Sequence, residues 1–361
     1  MNICLIGNGL TNLVLAKVLL NKNIKVDIYS KTKKYRYSAV RTVAISSDNL
    51  NFLKNIGLDL KKISWPIKSI KIFNETKQDK ELLEFTHKNK INFSVIKYSQ
   101  VYDAILKKIK RNKNFNLRIS KNSLFLLKNK KYDLIINSDS GSEIANSFFH
   151  KKIKKNYNSS SYITILEHNN IINNFATQIF TKDGPIAFLP ISKNKTSIVY
   201  SIYKNSNLNQ IEQIKKMIEK YNRNFKIKKF SNFEKFDLKF LISRIYYHKK
   251  VLNFGDSLHR VHPLAGQGFN MTLRDIKILS KIIDETLELG LNLDTSVLKK
   301  FQNETKHFNF IFASGIDFLH EFFKIDNKFN NNYSNKIFGF LKNNNFFNNY
   351  SSRIADKGFF I

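Results

Sequence analysis

The sequence is poor in cysteine, proline, glycine and acidic residues, and it has no long apolar run. Its single cysteine, Cys4, admits no internal disulfide, and the default setting for such a chain is reducing and cytoplasmic. Four prolines and twelve glycines exclude a collagen-like or linker-like polypeptide. Nowhere do about 18 apolar residues run on without a charge or polar break. The nearest approach, Phe308 to Phe323, is broken by Asp317, His320 and Glu321. No basic segment precedes Ile3-Cys4-Leu5-Ile6 and no cleavage-like site follows it, so this stretch reads as a strand rather than a leader.

Acids are outnumbered: 28 Asp and Glu stand against 61 Lys and Arg, a net charge of +33. Such a surplus can neutralise the phosphates of nucleic acid or of an anionic membrane. The lysines are nevertheless dispersed among abundant Asn, Ile and Phe over the whole chain, which favours a solvated, compositionally biased surface. A membrane-facing or partner-facing patch is the alternative. No nucleic-acid recognition module is visible, and nucleic acid is not an expected partner. With 361 residues, 42% of them apolar, the chain can build full cores, and its length predicts about two domains.

Residues 2–6 read as a strand, 7–12 as a glycine-containing turn, 13–20 as a helix and 24–29 as a second strand: a βαβ unit. A helix is expected over 47–56, capped by Gly57, and another over 99–110 with Ser99 as N-cap. Residues 132–137 suit a buried parallel strand. From 158 to 245 short β-like runs dominate, with one helix near 207–222, which implies an antiparallel sheet. A buried-type strand returns at 251–254 and leads through a loop into a helix at 268–288; residues 295–361 read as helices. A first domain therefore begins, leaves and resumes.

Gly7-Asn8-Gly9-Leu10-Thr11-Asn12 is a G-x-G-x-x-N variant of the dinucleotide turn, placed after a strand and opening a helix. Gly7 allows the tight turn, and Gly9 lets a pyrophosphate approach the helix N-terminus, where free N–H groups favour anions. Asn12 stands where a third glycine would give close packing. Ser30 stands where an acid would bind a ribose, and it offers one hydrogen bond rather than a carboxylate's pair. The second motif runs from Gly255-Asp256 to Gly266-Gln267-Gly268-Phe269-Asn270: an Asp after a strand, then a glycine loop ahead of a helix, fit to bind an anion or a polyol. His259 and His262 lack a third ligand at suitable spacing and read as structural, so no metal is expected.

The stretch 255–275 resembles the signature G-(D/N)-A-A-H-x-x-H-P-x-A-G-Q-G-x-N-x-G-x-x-D of the flavin-dependent aromatic hydroxylases of the para-hydroxybenzoate hydroxylase type, within them the ubiquinone-biosynthesis ring hydroxylases. Arg41-Thr42-Val43-Ala44-Ile45-Ser46, with Ile56-Gly57-Leu58 after it, resembles their R-x-x-A-L-S…L-G segment, and Gly184 to Pro190 resembles their G-P-x-A-x-L-P strand. The resemblance extends from residue 2 into the C-terminal helices. It implies an α/β fold: a discontinuous Rossmann-like FAD-binding domain (1–70, 97–157 and 245–295), an antiparallel-sheet substrate domain (71–96 and 158–244) and C-terminal helices (296–361).

Carried onto this sequence, the resemblance implies a cofactor site of Gly7, Gly9, Leu10, Thr11, Ser30, Arg41, Gln100, Asp139, Gly255, Asp256, Gly266 and Gln267. Asp256 would bind the ribityl chain. Pro263 would wall the reactive flavin edge, and Gly268, Phe269 and Asn270 would aim backbone N–H groups at the flavin. The implied enzyme is an FAD-dependent monooxygenase using NAD(P)H and O2 through a flavin C4a-hydroperoxide, which needs no side-chain nucleophile. Its implied substrate is a prenylated phenol or quinol of ubiquinone biosynthesis. Implied partners are other proteins of that pathway and a peripheral contact with the inner face of the cytoplasmic membrane. Among the departures from the signature, Ser140 stands for a glycine after Asp139, Ser257 and Leu258 for two alanines, and Thr272 for a glycine. The alternatives are a hydroxylase or dehydrogenase of the same fold with another aromatic substrate, and a non-catalytic scaffold that binds FAD weakly. The phenylalanines at 322, 323, 338, 340, 346, 347, 359 and 360 read as the core of terminal helices, with a membrane contact as the other reading.

Overall fold

The computed structural model describes residues 1–32, 37–75, 81–86, 93–120, 122–128, 130–208 and 210–329. The phenylalanines from 338 onward lie outside these residues.

The chain opens as read: β1 (Asn2–Ile6), α1 (Leu10–Asn21) and β2 (Lys25–Ser30). It continues through β3 (Thr42–Ser46), α2 (Ser47–Asn55), β4 (Trp65–Ile67), β5 (Ser69–Asn74), β6 (Leu83–Thr86) and β7 (Phe93–Lys97). Next come α3 (Tyr98–Ile109), β8 (Phe115–Ile119), α4 (Phe125–Lys128), β9 (Leu134–Asn137) and α5 (Glu143–Phe148). The long strand β10 (Lys152–His168) leads to β11 (Phe175–Thr181), β12 (Gly184–Ser192), β13 (Lys195–Tyr203), α6 (Ile211–Tyr221), β14 (Ile227–Phe230) and β15 (Glu234–Ser243). Short strands β16 (Tyr247–His248), β17 (Val251–Asn253) and β18 (His259–Arg260) precede α7 (Gln267–Glu288) and α8 (Thr295–Phe329).

Three sheets result. The first has the order β16-β17-β9-β1-β2-β8, parallel except for β16. Its central strands are continuous apolar runs because helices cover it; Ile3, Cys4, Leu5, Leu134, Ile135 and Ile136 are fully buried. The second, larger sheet has the order β18-β15-β10-β13-β12-β11-β5-β6, with β14 against β10. Antiparallel β3, β7 and β4 form the third.

Chain segments divide between the sheets differently from the sequence expectation. Residues 152–157, grouped with the first domain, begin β10 in the large sheet, where Lys152 pairs with Ser243. Ser69 and Ile70 lie in β5, and β18, from the resumed segment, joins β15. Short-range alternation shows that a segment is β but not which sheet it enters. The N-cap of α3 is Lys97, not Ser99, since the strand runs straight into the helix with no capping side chain. No described helix is long and apolar enough to cross a membrane.

Candidate active site

A cavity of about 2080 Å³ opens between the carboxyl ends of the parallel strands and the large sheet. Ligands of open α/β sheets bind at that end of the strands. The volume exceeds the roughly 300–1,000 Å³ of an ordinary small-molecule pocket, and the lining is of two kinds. One half is polar turns and helix N-termini; the other is an apolar sheet floor.

The polar half starts at the first turn. Gly7 has φ +101, and a Cβ there would lie 3.1 Å from Ser138 Oγ, so only glycine fits. A Cβ on Gly9 would meet nothing within 4 Å; the space it leaves is the cavity itself. Gly9 caps α1 without a side-chain bond, and the first turn holds no acid. The Leu10 N–H donates to the Tyr98 hydroxyl at 3.1 Å. The N–H groups of Thr11 and Asn12 have no helical acceptor and face an anion-binding position. Asn12, in place of the third glycine, is fully buried and donates through Nδ2 to the carbonyls of Ile6 and Gly7, at 2.9 and 2.6 Å. It ties the turn by hydrogen bonds where glycine would do so by close packing. Asn8 lines the cavity with a buried Nδ2 that has no partner among the described residues.

The second wall is the signature loop. Gly255 packs against Thr11, bringing the Asp256 loop to the head of α1, and Asp256 is exposed at the cavity edge. Gly266, at φ +65, caps α7 without a side-chain bond; a Cβ there would stand 2.8 Å from Ala44 Cβ. Gly268 and Phe269 line the cavity in the first turn of α7, ahead of any helical acceptor for their N–H groups. Pro263 lines it beside them.

Ser30 lines the cavity, its hydroxyl donating to the Thr32 carbonyl at 2.8 Å. Arg41 reaches it with its guanidinium 4.8 Å from the centroid of the Tyr98 ring. Asp139 accepts from the Gly141 N–H at 2.8 Å, and Ser140 Oγ accepts from Arg260 at 3.2 Å, so the side chain in place of the family's glycine is held in a contact of its own. Gln267 lines the cavity, and its amide oxygen accepts from Arg274 at 3.1 Å.

Two expectations need correction. Gln100 is exposed and lies outside the cavity wall, because it sits two residues beyond Tyr98, the residue of α3 that faces inward. Asn270 is also outside the wall: it is fully buried, and its position in α7 gives its N–H the Gly266 carbonyl as helical acceptor. Its side chain instead grips the free edge of β3. Nδ2 donates to the Ala44 carbonyl at 2.9 Å, and Oδ1 accepts from the Ser46 N–H at 2.9 Å, as a neighbouring strand's peptide group would.

The two signature histidines differ. His259 is paired with Asp275 at 2.6 Å, both buried, and Asn309 donates to the same carboxylate at 3.0 Å. His262 is wholly buried, and neither ring nitrogen has a partner among the described residues. It stacks on His320 of α8 with centroids 4.3 Å apart. Burial, then the neighbouring His320, holds its pKa well below the usual histidine range.

Sequence reasoning did not single out Tyr98, Asn8 or Arg260 as site residues. Arg260 stood within the signature and Asn8 within the turn, so position was a signal in both. Tyr98 carried none, since its role rests on contacts with Leu10 and Arg41 far away in sequence. The residues present fit a dinucleotide. Two uncapped helix N-termini, the orphaned Asn8 amide and the open face of Gly9 converge on one cavity.

Comparisons with known proteins agree with this geometry. The chain is 30% identical over 149 residues to the 3-demethoxyubiquinol 3-hydroxylase of Escherichia coli, a match covering 40% of this chain and 38% of that protein. It is 26% identical over 215 residues to the ubiquinone biosynthesis monooxygenase COQ6 of Caenorhabditis elegans, covering 47% and 48%. The matches thus span less than half the length of these curated relatives. Among solved structures, p-nitrophenol 4-monooxygenase PnpA of Pseudomonas putida superimposes with a TM-score of 0.80 at 12% identity, covering 99% of this chain and 98% of that one. HpxO of Klebsiella pneumoniae, solved in complex with FAD, gives 0.78 at 11% identity and 99% coverage of each. The sequence model of the squalene epoxidase family matches residues 142–351, more than half of the chain, and with the signature loop inside that match the chain belongs to the squalene epoxidase family.

Proposed function

We propose that this chain is an FAD-dependent monooxygenase that hydroxylates the aromatic ring of a prenylated phenol or quinol in ubiquinone biosynthesis, with NAD(P)H and O2 as co-substrates. The observation that carries this reading is the two-part cavity, in which the uncapped N-termini of α1 and α7 face an apolar sheet floor. The names of the relatives, a demethoxyubiquinol hydroxylase and the COQ6 monooxygenases, support the choice of substrate.

FAD would be held along the polar half. The turn at Gly7 to Gly9 and the N–H groups of Thr11 and Asn12 would bind the pyrophosphate, Asp256 would accept from the ribityl hydroxyls, and Arg41 would take the adenosine side. Bound there, FAD supplies the redox chemistry, accepting electrons from NAD(P)H and activating O2. The chain's own residues do the rest. The N–H groups of Gly268 and Phe269, at the positive end of α7, stabilise negative charge next to them. Pro263 and Leu264 line the cavity and would form an apolar wall that keeps water from the reacting edge of a bound flavin. A substrate ring would lie between that wall and the sheet floor.

The mouth of the cavity favours a membrane-borne substrate. Ile311, Phe318 and Leu319 of α8 and Phe236 of β15 line the cavity yet are exposed, Phe318 by 67%. Exposed Lys235 and Asp237 flank Phe236, with exposed Lys239 three residues on; the apolar residues and the two lysines suit an anionic bilayer surface. Phe323 does not share this exposure: it is buried and stacks on Phe180 at 3.7 Å, as the core reading of that residue expected.

The test is substrate-dependent oxidation of NAD(P)H by the FAD-loaded protein under labelled O2. The expected result is one labelled oxygen on the ring of a prenylated phenol. NAD(P)H oxidation that no prenylated phenol accelerates, with unlabelled product, would reject the proposal.

A further inference from the structure

We infer that Gln178 of β11 reads the free ring hydroxyl of the substrate and so sets which oxygen pattern the site accepts; this rests on the proposed hydroxylase reading. The argument starts from sheet register. Alternation places Ala176, Gln178 and Phe180 on the cavity face of β11, while Ile179 packs toward α6 on the other face. Across the sheet, Gln178 pairs with Ala187 of β12, which pairs with Val199 of β13, which pairs with Ile163 of β10. On its other side it stands beside Ile72 of β5. These register neighbours are apolar, and the two small alanines, Ala176 and Ala187, line the cavity beside the amide.

The hydroxyls of Thr42 and Ser197, which also line the cavity, are already engaged. Thr42 Oγ1 and Ser197 Oγ lie 2.9 Å apart and bond each other. The orientation of the Gln178 amide is fixed by chemistry. Its nitrogen lies 3.0 Å from the Ile186 carbonyl, which can only accept, so that nitrogen must be the donating NH2. Oε1 is then turned away from Ile186, and no donor among the described residues meets it. A phenol entering this apolar part of the cavity can donate to this oxygen. A methyl ether at the same position cannot, and it leaves the acceptor desolvated.

The experiment measures binding of para-heptylphenol and of its methyl ether, para-heptylanisole, by calorimetry. It uses the full chain, once as purified and once after FAD loading. The wild-type protein is expected to prefer the phenol by about tenfold, the ratio that one hydrogen bond and one stranded acceptor represent. Gln178→Leu is expected to bind both ligands with similar affinity, because this part of the cavity stays apolar and loses its acceptor. Gln178→Glu keeps an oxygen there and is expected to retain the preference. Circular dichroism checks that both variants fold. Equal binding of the two ligands by wild type, no binding of either, or a preference that survives Gln178→Leu would overturn the inference. Failure to take up FAD would reject the hydroxylase reading separately, because the phenol preference is also read in the FAD-free chain.

Discussion

Asn270→Ala tests the link between β3 and the helix that closes the site. The Asn270 carboxamide bonds Ala44 and Ser46 along the free edge of β3 and also donates to the Gly266 carbonyl at 3.1 Å. Asn49 Nδ2 donates to its oxygen at 3.0 Å. The bonds to Ala44, Ser46 and Asn49 are buried, and truncation would strand at least one backbone N–H and one backbone carbonyl. At about 1–3 kcal/mol for each stranded group, the expected destabilisation is about 2–6 kcal/mol. Because the same side chain seats the N-terminus of α7 against β3, FAD affinity should fall as well, by at least the factor of about ten that 1.4 kcal/mol represents. Urea denaturation followed by circular dichroism gives the first number and a titration of flavin fluorescence the second. Asn303→Ala, on an exposed face of α8, is the control and should cost less than about 0.5 kcal/mol. A loss below about 1 kcal/mol for Asn270→Ala, with FAD binding unchanged, would refute the reasoning.

Gly9→Val should leave stability within about 0.5 kcal/mol, because φ is −73 and a Cβ meets nothing within 4 Å, yet it should sharply reduce FAD affinity by filling the approach to α1; thermal melts with and without FAD separate the two effects. Gly266→Ala should cost about 2 kcal/mol, from a left-handed backbone and from the contact with Ala44. The double variant Gly266→Ala/Ala44→Gly should recover part of that loss in the same melts, because it removes the contact and leaves the backbone strain. Burial lowers the pKa of His262 and of His320, and their surroundings include Tyr157, Tyr203 and Glu321. In both cases the folded pKa lies below the unfolded value of about 6.5. Their contribution to stability is therefore complete above that pH and is lost as pH falls toward the folded value, at up to about 1.4 kcal/mol per unit for each group. His262→Phe should flatten the melting temperature between pH 6.5 and 5, and an unchanged slope would contradict the assignment.

What the sequence disclosed follows from what acts locally. The βαβ opening was readable because β1 is a short buried apolar run, β2 alternates polar and apolar residues, and a glycine turn leading into a helix stands between them. In the signature loop, Gly255 and Gly266 each meet a tight packing and backbone demand. Asn12 was legible as a departure, but its compensation was not: the bonds to the Ile6 and Gly7 carbonyls depend on how α1 sits over β1. Asn270 reads as one more residue of a helix opening until β3 is placed beside it. The resemblance points to Gln100 in α3, whereas Tyr98, two residues earlier, is the one that lines the cavity; which face of α3 turns inward depends on how it packs against α1. Gln178 carries no motif at all; its isolation arises from five strands meeting in register. Long-range pairing of this kind leaves little trace in a single segment, and it built the substrate half of the cavity.

The most direct test is the visible absorption spectrum of the purified chain, recorded alone and after FAD is added and the excess removed. The arrangement of α1, α7 and the Asp256 loop predicts retained flavin bands at about one FAD per chain, lost in Gly9→Val. A chain that keeps no flavin after buffer exchange, although correctly folded, would contradict the assignment of the polar half of the cavity and with it the hydroxylase chemistry.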